Sequence, residues 1–337
     1  MVFFGKIAAA VFAWGAYAVL RLVGWKRKTV FANVKHVAGA LSNALNVTNA
    51  PTIAPVNYDE LLFNLTRHVG ELLFCFGTFK KLPHDFSAYP CCVDGWNFAL
   101  DEAAIPVLEK MRKGGIFLTA HYGNYEAMGP WLCRLGIPLV ASYIPVKPKW
   151  LNNILERKIR AVDGRSYSVD ARTPRDFLRI LNDGKLFCLL SDQDSRIPSA
   201  LSGTFLGQSA NVNPLPDFLL EHRSQTPVFI CWMEERCSFP ESAFSNGAAS
   251  RGSSLCESRK VRVLHAIEVE RVQVQSSAHL EDSAPLAQFE NEPQTVSSIV
   301  NMQFNKWLEQ RILENPNLWY SFTHRRFYSQ SPKIYGD

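Results

Sequence analysis

Gly115-Ile-Phe-Leu-Thr-Ala120 runs directly into His121-Tyr-Gly-Asn-Tyr-Glu126, and this junction decides both the fold and the candidate chemistry. The first six residues are mostly apolar, which is typical of a strand buried on both faces of a sheet. Glycine and asparagine at 123 and 124 predict a turn, and a helix is predicted after them. We therefore expect His121 at the exposed carboxyl end of a strand and Glu126 in the first turn of the next helix.

The spacing of these two side chains matters for their chemistry. On a continuous helix, residues five apart point about 140° away from each other, so the turn is needed for Glu126 to fold back onto the imidazole. A neutral imidazole can accept a proton from an attacking hydroxyl, and a carboxylate fixes its tautomer. The pattern thus favours acyl transfer to a substrate hydroxyl. The structural alternative is a core histidine near a helix-capping acid, because short patterns recur by chance.

Strands and helices are predicted to alternate along the middle of the chain. Predicted strands cover residues 116–120, 138–144, 186–190 and 228–233, and predicted helices cover 126–135, 151–162 and 174–182. This alternation predicts an α/β fold with a mixed, largely parallel sheet flanked by helices, whose sites gather at the carboxyl ends of the strands. His121 and Asp192 both fall there, and we expect Asp192 to pair with an arginine and shape the site.

Four sequence blocks stand in a characteristic order, at residues 114–126, 181–194, 204–210 and 315–327. The last contains Pro316-Asn-Leu-Trp319 and ends in His324-Arg-Arg-Phe327. With these blocks the chain, from about Val93 onward, resembles the lauroyl and myristoyl acyltransferases of lipid A biosynthesis, in the His-x4-Asp/Glu acyltransferase superfamily. One departure is the loop before Phe205, which lacks the valine-proline lead common in that family.

The resemblance implies a glycerolipid acyltransferase-like fold and an O-acyltransferase activity. The donor would be an acyl carrier protein thioester or acyl-CoA, and the acceptor a hydroxyl of a lipid A precursor type of membrane glycolipid. Transfer would be direct, with no acyl-enzyme, no cofactor and no metal. The catalytic residues would be His121 and Glu126, and backbone N–H groups near Gly123 to Tyr125 would stabilise the oxyanion. The substrate-binding set comprises Asn124, Arg160, Arg157, Asp192, Asp194 and Gly207, with Arg160 favoured over Arg157.

Other functions are compatible with the same residues. An acyl-CoA dependent enzyme acting on a glycerophospholipid or another glycolipid would use the same catalytic pair. A non-catalytic glycolipid-binding membrane protein could keep the basic and aromatic residues without turnover. A serine hydrolase is disfavoured because the sequence has no Gly-x-Ser-x-Gly nucleophile motif.

The amino-terminal sequence predicts a membrane-associated helix. An apolar run of fourteen residues from Ile7 to Leu20 lies between Lys6 and Arg21, shorter than the ~20 residues of a spanning helix. Snorkelling of the flanking cations extends it toward an interfacial or spanning anchor. A signal peptide and a buried core helix are the alternatives. The basic residues after it place the following chain on the cytoplasmic face of the inner membrane, behind a single anchor.

These features divide the chain into an anchor at 1–25, a catalytic domain at 26–239 and 297–337, and a partly flexible insertion at 240–296. The net charge of +5 arises from scattered basic clusters, which favour anionic head groups of inner-membrane lipids. No nucleic acid is expected as a partner, because no basic stripe with interleaved aromatics appears. The eight cysteines lie mostly in apolar stretches without Cys-x-x-Cys spacing, and we predict reduced thiols. His121 also lacks a second metal ligand at helical spacing.

Overall fold

An eight-stranded mixed sheet forms the centre of the computed structural model, which describes residues 2–44, 55–143, 145, 147–236, 260–270 and 296–336. The strands are β1 (Cys91–Val93), β2 (Trp96–Leu100), β3 (Gly115–Thr119), β4 (Leu139–Ser142), β5 (Ala161–Val162), β6 (Arg165–Ser166), β7 (Ser168–Val169), β8 (Leu186–Leu190), β9 (Leu201–Phe205), β10 (Gln208–Val212), β11 (Val228–Arg236) and β12 (Val261–Glu268). The order in the main sheet is β1-β2-β12-β11-β3-β8-β4-β7, while β5 with β6 and β9 with β10 form separate hairpins. Only the β1–β2 and β11–β12 pairs of the main sheet are antiparallel.

Helices cover both faces of this sheet. They are α1 (Val2–Leu22), α2 (Arg27–Ala44), α3 (Tyr58–Phe79), α4 (Ile105–Met111), α5 (Tyr125–Arg134), α6 (Lys149–Ile154), α7 (Pro174–Asn182), α8 (Leu215–His222) and α9 (Val296–Glu314). Local sequence sets their ends. At α7, for example, the Thr173 hydroxyl and the Asp176 carboxylate form a reciprocal capping box, and Pro174 occupies the first turn.

Neighbouring residues of β3 enter different cores, which explains why its sequence is apolar throughout. Ile116 and Leu118 pack with α8 and α9 on one side, and Phe117 packs with α4 and α5 on the other. The strand begins at Gly115, which has a φ of +137°, and an added Cβ there would lie 2.7 Å from the carbonyl oxygen of Pro227. Glycine is therefore required where β3 enters between its two neighbours.

The predicted α/β fold with a mostly parallel mixed sheet is confirmed, and each of the four predicted strands overlaps an observed one. The predicted helix at 151–162 is wrong at its end. α6 ends at Ile154, a π-helical turn covers Leu155–Ile159, and the chain then enters β5. The reason is the Asp163-Gly164 pair, whose positive φ angles form a two-residue hairpin turn into β6.

One strand of the main sheet comes from the segment predicted as an insertion. β12 lies between β2 and β11, and most of its side chains are buried. Residues 261–268 therefore belong to the central sheet, which corrects the predicted insertion at 240–296 for this stretch. The rest of the segment, apart from 260, 269–270 and 296, lies outside the described residues. The remaining domain limits stay predictions.

The amino-terminal segment forms α1, and residues 4–22 are long and apolar enough to cross a membrane. A signal sequence or a core helix meets the same criterion. Only 11% of this stretch is buried within the protein, however, so it is not a core helix. The prediction of an N-terminal membrane-associated helix is supported to this extent.

The cysteine prediction is confirmed at five positions and wrong at one. Free thiols are present at Cys75, Cys91, Cys133, Cys188 and Cys231. Cys92, on β1, is disulfide-bonded. Local spacing does not indicate this disulfide, because Cys92 lacks the paired spacing by which disulfides and metal sites are usually predicted.

A buried acid on α8 generates a stability prediction. Burial raises the pKa of Asp217 to about 7, Glu221 adds to the shift, and the hydrogen bond from Asn301 opposes it. The folded state favours the protonated form of an acid whose pKa is raised. Ionisation of that acid therefore lowers the free energy of unfolding, and this loss develops as the pH rises from about 4 to 7. We expect Asp217→Asn to raise stability near pH 8 by on the order of 1 kcal/mol.

Thermal unfolding at pH 5 and pH 8 checks this expectation. The variant should gain several times more at pH 8 than at pH 5. Asp183→Asn, at the exposed end of α7, is the matched control and should show no such pH dependence. An equal gain at both pH values would contradict the assignment to Asp217 ionisation.

Candidate active site

His121 and Asp192 meet because β3 and β8 are parallel neighbours. Thr119 pairs with Leu190 in this register, and the Ser191 N–H donates to the Thr119 carbonyl. Each chain then continues two residues past the paired position, to His121 and Asp192. His121 Nδ1 and Asp192 Oδ1 lie 2.8 Å apart. Carboxyl ends of parallel strands thus build the pair, as expected for sheets of this kind.

The Asp192 carboxylate is fully buried and accepts four hydrogen bonds. Its Oδ1 accepts a hydrogen bond from His121 Nδ1. Its Oδ2 accepts hydrogen bonds from the His121 backbone N–H, from Trp319 Nε1 and from Ser321 Oγ. Burial alone would raise its pKa, but the charge and hydrogen bond of His121, with the bonds from Ser321 and Trp319, lower the pKa well below its ordinary value. Asp192 is therefore ionised across the physiological range.

Glu126 does not take the predicted position on the imidazole. Its Oε1 accepts a hydrogen bond from Arg160 Nη2 at 2.7 Å, whereas the carboxylate on His121 Nδ1 is Asp192. The expectation that Glu126 folds back onto the ring is therefore wrong, and so is the expectation that Asp192 pairs with an arginine. Glu126 still acts on His121 through its charge, which contributes to the raised pKa of the imidazole.

The imidazole is arranged as a base with one free nitrogen. Nδ1 is held by Asp192, and within the described chain no hydrogen bond is formed by Nε2. The side chain is 22% exposed, and the Tyr125 ring packs edge-on against it at 5.0 Å. Burial favours the neutral ring, but the Asp192 charge and hydrogen bond and the Glu126 charge outweigh it and raise the pKa of His121 above 6.5.

The carboxyl-terminal block crosses directly over the His121 loop. The Tyr320 N–H donates to the His121 carbonyl, the Gly123 N–H donates to the Leu318 carbonyl, and Tyr122 forms an isolated bridge with Trp319. Two of the four sequence blocks therefore join at Asp192, which belongs to a third. Trp319 stands within a recognised sequence block, but no local pattern indicates that it holds the carboxylate. The same is true of Ser321.

Asn124 lies in a second buried network and not on the surface. Its Nδ2 donates to Glu71 Oε2 on α3 at 2.7 Å. Glu71 also accepts from Arg262 and Arg67, and both arginines bind Glu235. Asn124, which was predicted to bind substrate, fixes the start of α5 against α3, and Glu71 continues the network to Arg262 on β12.

One group of side chains in this network has the composition of a metal site. It consists of His68, Glu71 and Glu235, whose ligand atoms lie within 4.8 Å of one another. Both carboxylates are already bonded to Arg67 and Arg262, and Arg67 also contacts His68. Two guanidinium groups supply the positive charge that a cation would otherwise bring, so the cluster is built as an ion-pair network.

The other predicted site residues are spread around this centre. Asp194 binds the backbone N–H and hydroxyl of Ser329 and the Arg196 side chain, so it anchors the carboxyl-terminal segment. Gly207 lies in the β9–β10 turn with a φ of +73°, between residues bonded to α9 and α2. Arg157 is exposed on the π-helical turn.

Arg326 is a buried cation that the sequence analysis did not assign. Its Nη1 donates to the Asn211 carbonyl, and its guanidinium lies over the Phe205 ring at 4.9 Å. Burial lowers its pKa to about 10, against the opposing charges of Asp192 and Asp194. Arg326 is thus bonded to the β9–β10 hairpin, and the acids that follow β8 act on it through their charge.

Three surface cavities are described, and none is lined by His121. The largest, about 630 Å³, lies at the α1–α2 turn, and a cavity of about 210 Å³ lies over the Arg67 and Arg262 network. The third, near Gly114 and His222, is at the amino ends of the strands. His121 lies at the carboxyl edge of the sheet, opposite the third cavity.

The hydrogen bonding predicts the titration of His121. We expect its pKa to lie above 6.5, because Asp192 stabilises the imidazolium. Asp192→Asn should lower this pKa more than Glu126→Gln does, since the Asp192 carboxylate is directly bonded to the ring and Glu126 acts through its charge alone. Proton NMR of selectively labelled histidine, with His121→Gln to assign the resonance, measures both shifts.

Asp194→Asn is the matched control. It removes a carboxylate two residues along the same segment, but one bound to Ser329 and Arg196, and should leave the His121 titration unchanged. An Asp192→Asn variant with an unaltered His121 pKa would contradict the coupling.

Comparison with protein-family models and with curated proteins finds no match for this chain.

Proposed function

We propose that the protein is a membrane-bound O-acyltransferase, with His121 as general base, which moves a fatty acyl chain from a carrier thioester to a glycolipid hydroxyl. The observation that carries the proposal is the 2.8 Å bond between His121 Nδ1 and the buried Asp192 carboxylate. It fixes the tautomer whose Nε2 accepts a proton. The four ordered sequence blocks, three of which meet at Asp192, support the choice of acyl transfer.

The proposed step uses the acceptor hydroxyl as the nucleophile. His121 Nε2 takes the hydroxyl proton as the oxygen attacks the thioester carbonyl, and Asp192 stabilises the resulting imidazolium. The tetrahedral intermediate collapses with cleavage of the carbon–sulfur bond, and the proton held on His121 passes to the leaving thiolate. The products are the ester and the free thiol, and no acyl-enzyme forms.

The hydrogen bonding of Ser321 favours this scheme over serine hydrolysis. In a serine hydrolase the nucleophilic hydroxyl donates to the free nitrogen of the imidazole. Ser321 Oγ donates instead to Asp192 Oδ2. Asp192 is bonded to Nδ1 of the ring, whereas the nitrogen that would act as base is Nε2. Ser321 therefore orients the carboxylate, and the position beside Nε2 is left for a substrate hydroxyl.

The Glu126–Arg160 pair is assigned a positioning role beside the base. Arg160 lies 2.7 Å from Glu126 and stacks over the Tyr143 ring at 5.3 Å, with about a fifth of its side chain exposed. This leaves guanidinium donors for an anionic or carbonyl group of the substrate. The Gly123 N–H, one of the expected oxyanion donors, is already bonded to the Leu318 carbonyl. The oxyanion is therefore assigned to the backbone N–H groups of Asn124 and Tyr125 at the start of α5.

The proposed donor and acceptor are those that the resemblance of the four sequence blocks implies. The acceptor is a lipid A precursor type of glycolipid, and the protein acts at the cytoplasmic face of the inner membrane. The donor is an acyl carrier protein thioester. An acyl-CoA dependent reaction on a glycerophospholipid uses the same His121 chemistry, and presenting the two donors side by side to the purified protein separates the possibilities.

Replacement of the base tests the proposal. His121→Gln keeps the approximate size of the side chain but removes the basic nitrogen, so we expect the transfer rate to fall about 100- to 10,000-fold. Thermal stability should change much less than the rate. The measurement is acyl transfer to membrane glycolipids by the full-length protein, followed by mass spectrometry of the products.

His222→Gln is the control, because His222 is exposed on α8 and lines the cavity at the opposite edge of the sheet. It should keep the parental rate. Near-normal transfer by His121→Gln would refute the base assignment. Unchanged glycolipid binding, with no product from the parent protein under any donor, would instead favour a binding protein.

A further inference from the structure

The inner face of α1 is fastened to α3 at close range. Ala9 and Ala13 are buried there, and glycines bring the two backbones together. An added Cβ at Gly70 would lie 2.7 Å from the Ala9 carbonyl oxygen, and one at Gly5 would lie 2.8 Å from the Phe74 carbonyl oxygen. Small residues at this spacing are those that allow helices to pack backbone to backbone.

Both ends of α1 are also tied to the globular part. At the start, Lys6 Nζ donates to the Gly95 carbonyl beside β2. At the end, Arg21 bonds Asp59, and the Tyr58 hydroxyl donates to the Trp25 carbonyl. A membrane-crossing α1 would have to leave α3, because α3 carries Asp59, Arg67 and Glu71 and packs against the sheet. The whole length of α1 therefore lies along the surface of the protein.

The outer face of α1 is apolar and exposed. The exposed fractions are 75% for Phe4, 67% for Val11, 61% for Trp14 and 86% for Leu22. Residues at these intervals share one side of a helix. Val23 continues the face beyond α1 and lines the 630 Å³ cavity at the turn into α2. Contiguous exposed apolar surface of this kind marks an interaction site.

Basic residues border this apolar face, and acids are absent from this part of the sequence. Six lysines and arginines precede the first acidic residue of the chain, which is Asp59. On α2, Arg27, Lys28 and Lys35 line the cavity together with Phe31, which is 49% exposed. Cations beside apolar side chains fit the head groups and upper acyl chains of anionic lipids. A second copy of the chain would set its own basic row against this one.

We propose that α1 lies in the plane of an anionic membrane surface and does not cross the bilayer, with Arg27, Lys28 and Lys35 on the lipid head groups. This placement specifies how the proposed membrane-bound enzyme meets its membrane, and it requires no turnover.

Trp14 measures the depth, because it stands near the middle of the 21-residue α1. In a spanning helix it would lie near the bilayer centre, whereas an interfacial helix inserts about 5–10 Å. Vesicles of phosphatidylcholine and phosphatidylglycerol carry bromine either near the glycerol end or near the methyl end of the chains. The fluorescence difference between the parent and Trp14→Phe should be quenched most by bromine near the glycerol end. Strongest quenching near the methyl end would overturn the proposal.

Vesicle flotation tests the two components of the surface. Lys28→Gln with Lys35→Gln should lower binding to the anionic vesicles by roughly fivefold per charge removed. The matched double variant Lys113→Gln with Lys185→Gln, exposed at the amino ends of β3 and β8, should bind as the parent does. Val11→Asp should weaken binding to both anionic and neutral vesicles while thermal unfolding stays near the parental value. Binding that none of these substitutions alters would also overturn the proposal.

Flotation of His121→Gln separates this proposal from the proposed function. If the parent protein binds vesicles at a shallow depth and in a charge-dependent way but forms no acylated product, the proposed docking surface is retained and the proposed acyltransferase activity is refuted. If the parent protein transfers the acyl chain but its Trp14 is quenched most by bromine near the bilayer centre, the acyltransferase activity is retained and the proposed docking surface is refuted.

Discussion

The buried carboxylate of Asp192 is the constraint on which the candidate site depends. An isolated charge in this position would cost several kcal/mol, and the protein offsets the cost with four hydrogen bonds and the neighbouring imidazole. These donors come from the β3 end and from the segment at 319–321. Folding therefore has to bring both to the end of β8, and the same contacts that satisfy the charge also aim the ring of His121.

The loop that carries His121 is held from two further directions. On one side Glu126 is bonded to Arg160 beyond the π-helical turn, and on the other Asn124 is bonded to Glu71 on α3. Each bond joins the first residues of α5 to a different part of the fold. The consequence is an imidazole on a short, fixed loop, and the proposed reaction requires such an imidazole so that it accepts a proton without reorganisation.

Local sequence was sufficient for the elements around the site but not for the partners within it. The apolar runs that became β3 and β8 are continuous, because strands buried on both faces need no polar positions, and this allowed their carboxyl ends to be located. Which carboxylate meets His121 depended on the register between two strands seventy residues apart. Glu126 is closer to His121 in sequence, which is why the local pattern favours it. The spatial neighbour, Asp192, lies opposite His121 through the pairing of Thr119 with Leu190.

Long-range pairing also explains the other differences. β12 looked like part of an insertion because its flanking sequence is polar, and only its position between β2 and β11 identifies it as a strand of the central sheet. Trp319 and Ser321 stood in a recognised block, but their bonds to Asp192 span more than a hundred residues. In contrast, a local signal marks the departure from the predicted helix at 151–162. Asp163-Gly164 is the dipeptide of a two-residue hairpin, so the predicted helix cannot continue into this turn.

The helix α3 connects the proposed membrane surface with the candidate site. Gly70 meets α1 on one side, and the next residue, Glu71, holds Asn124 at the start of α5 on another. Adjacent residues on a helix point about 100° apart, so a single turn of α3 serves both contacts. The proposed docking surface and the network that holds the His121 loop are therefore joined through one turn of α3.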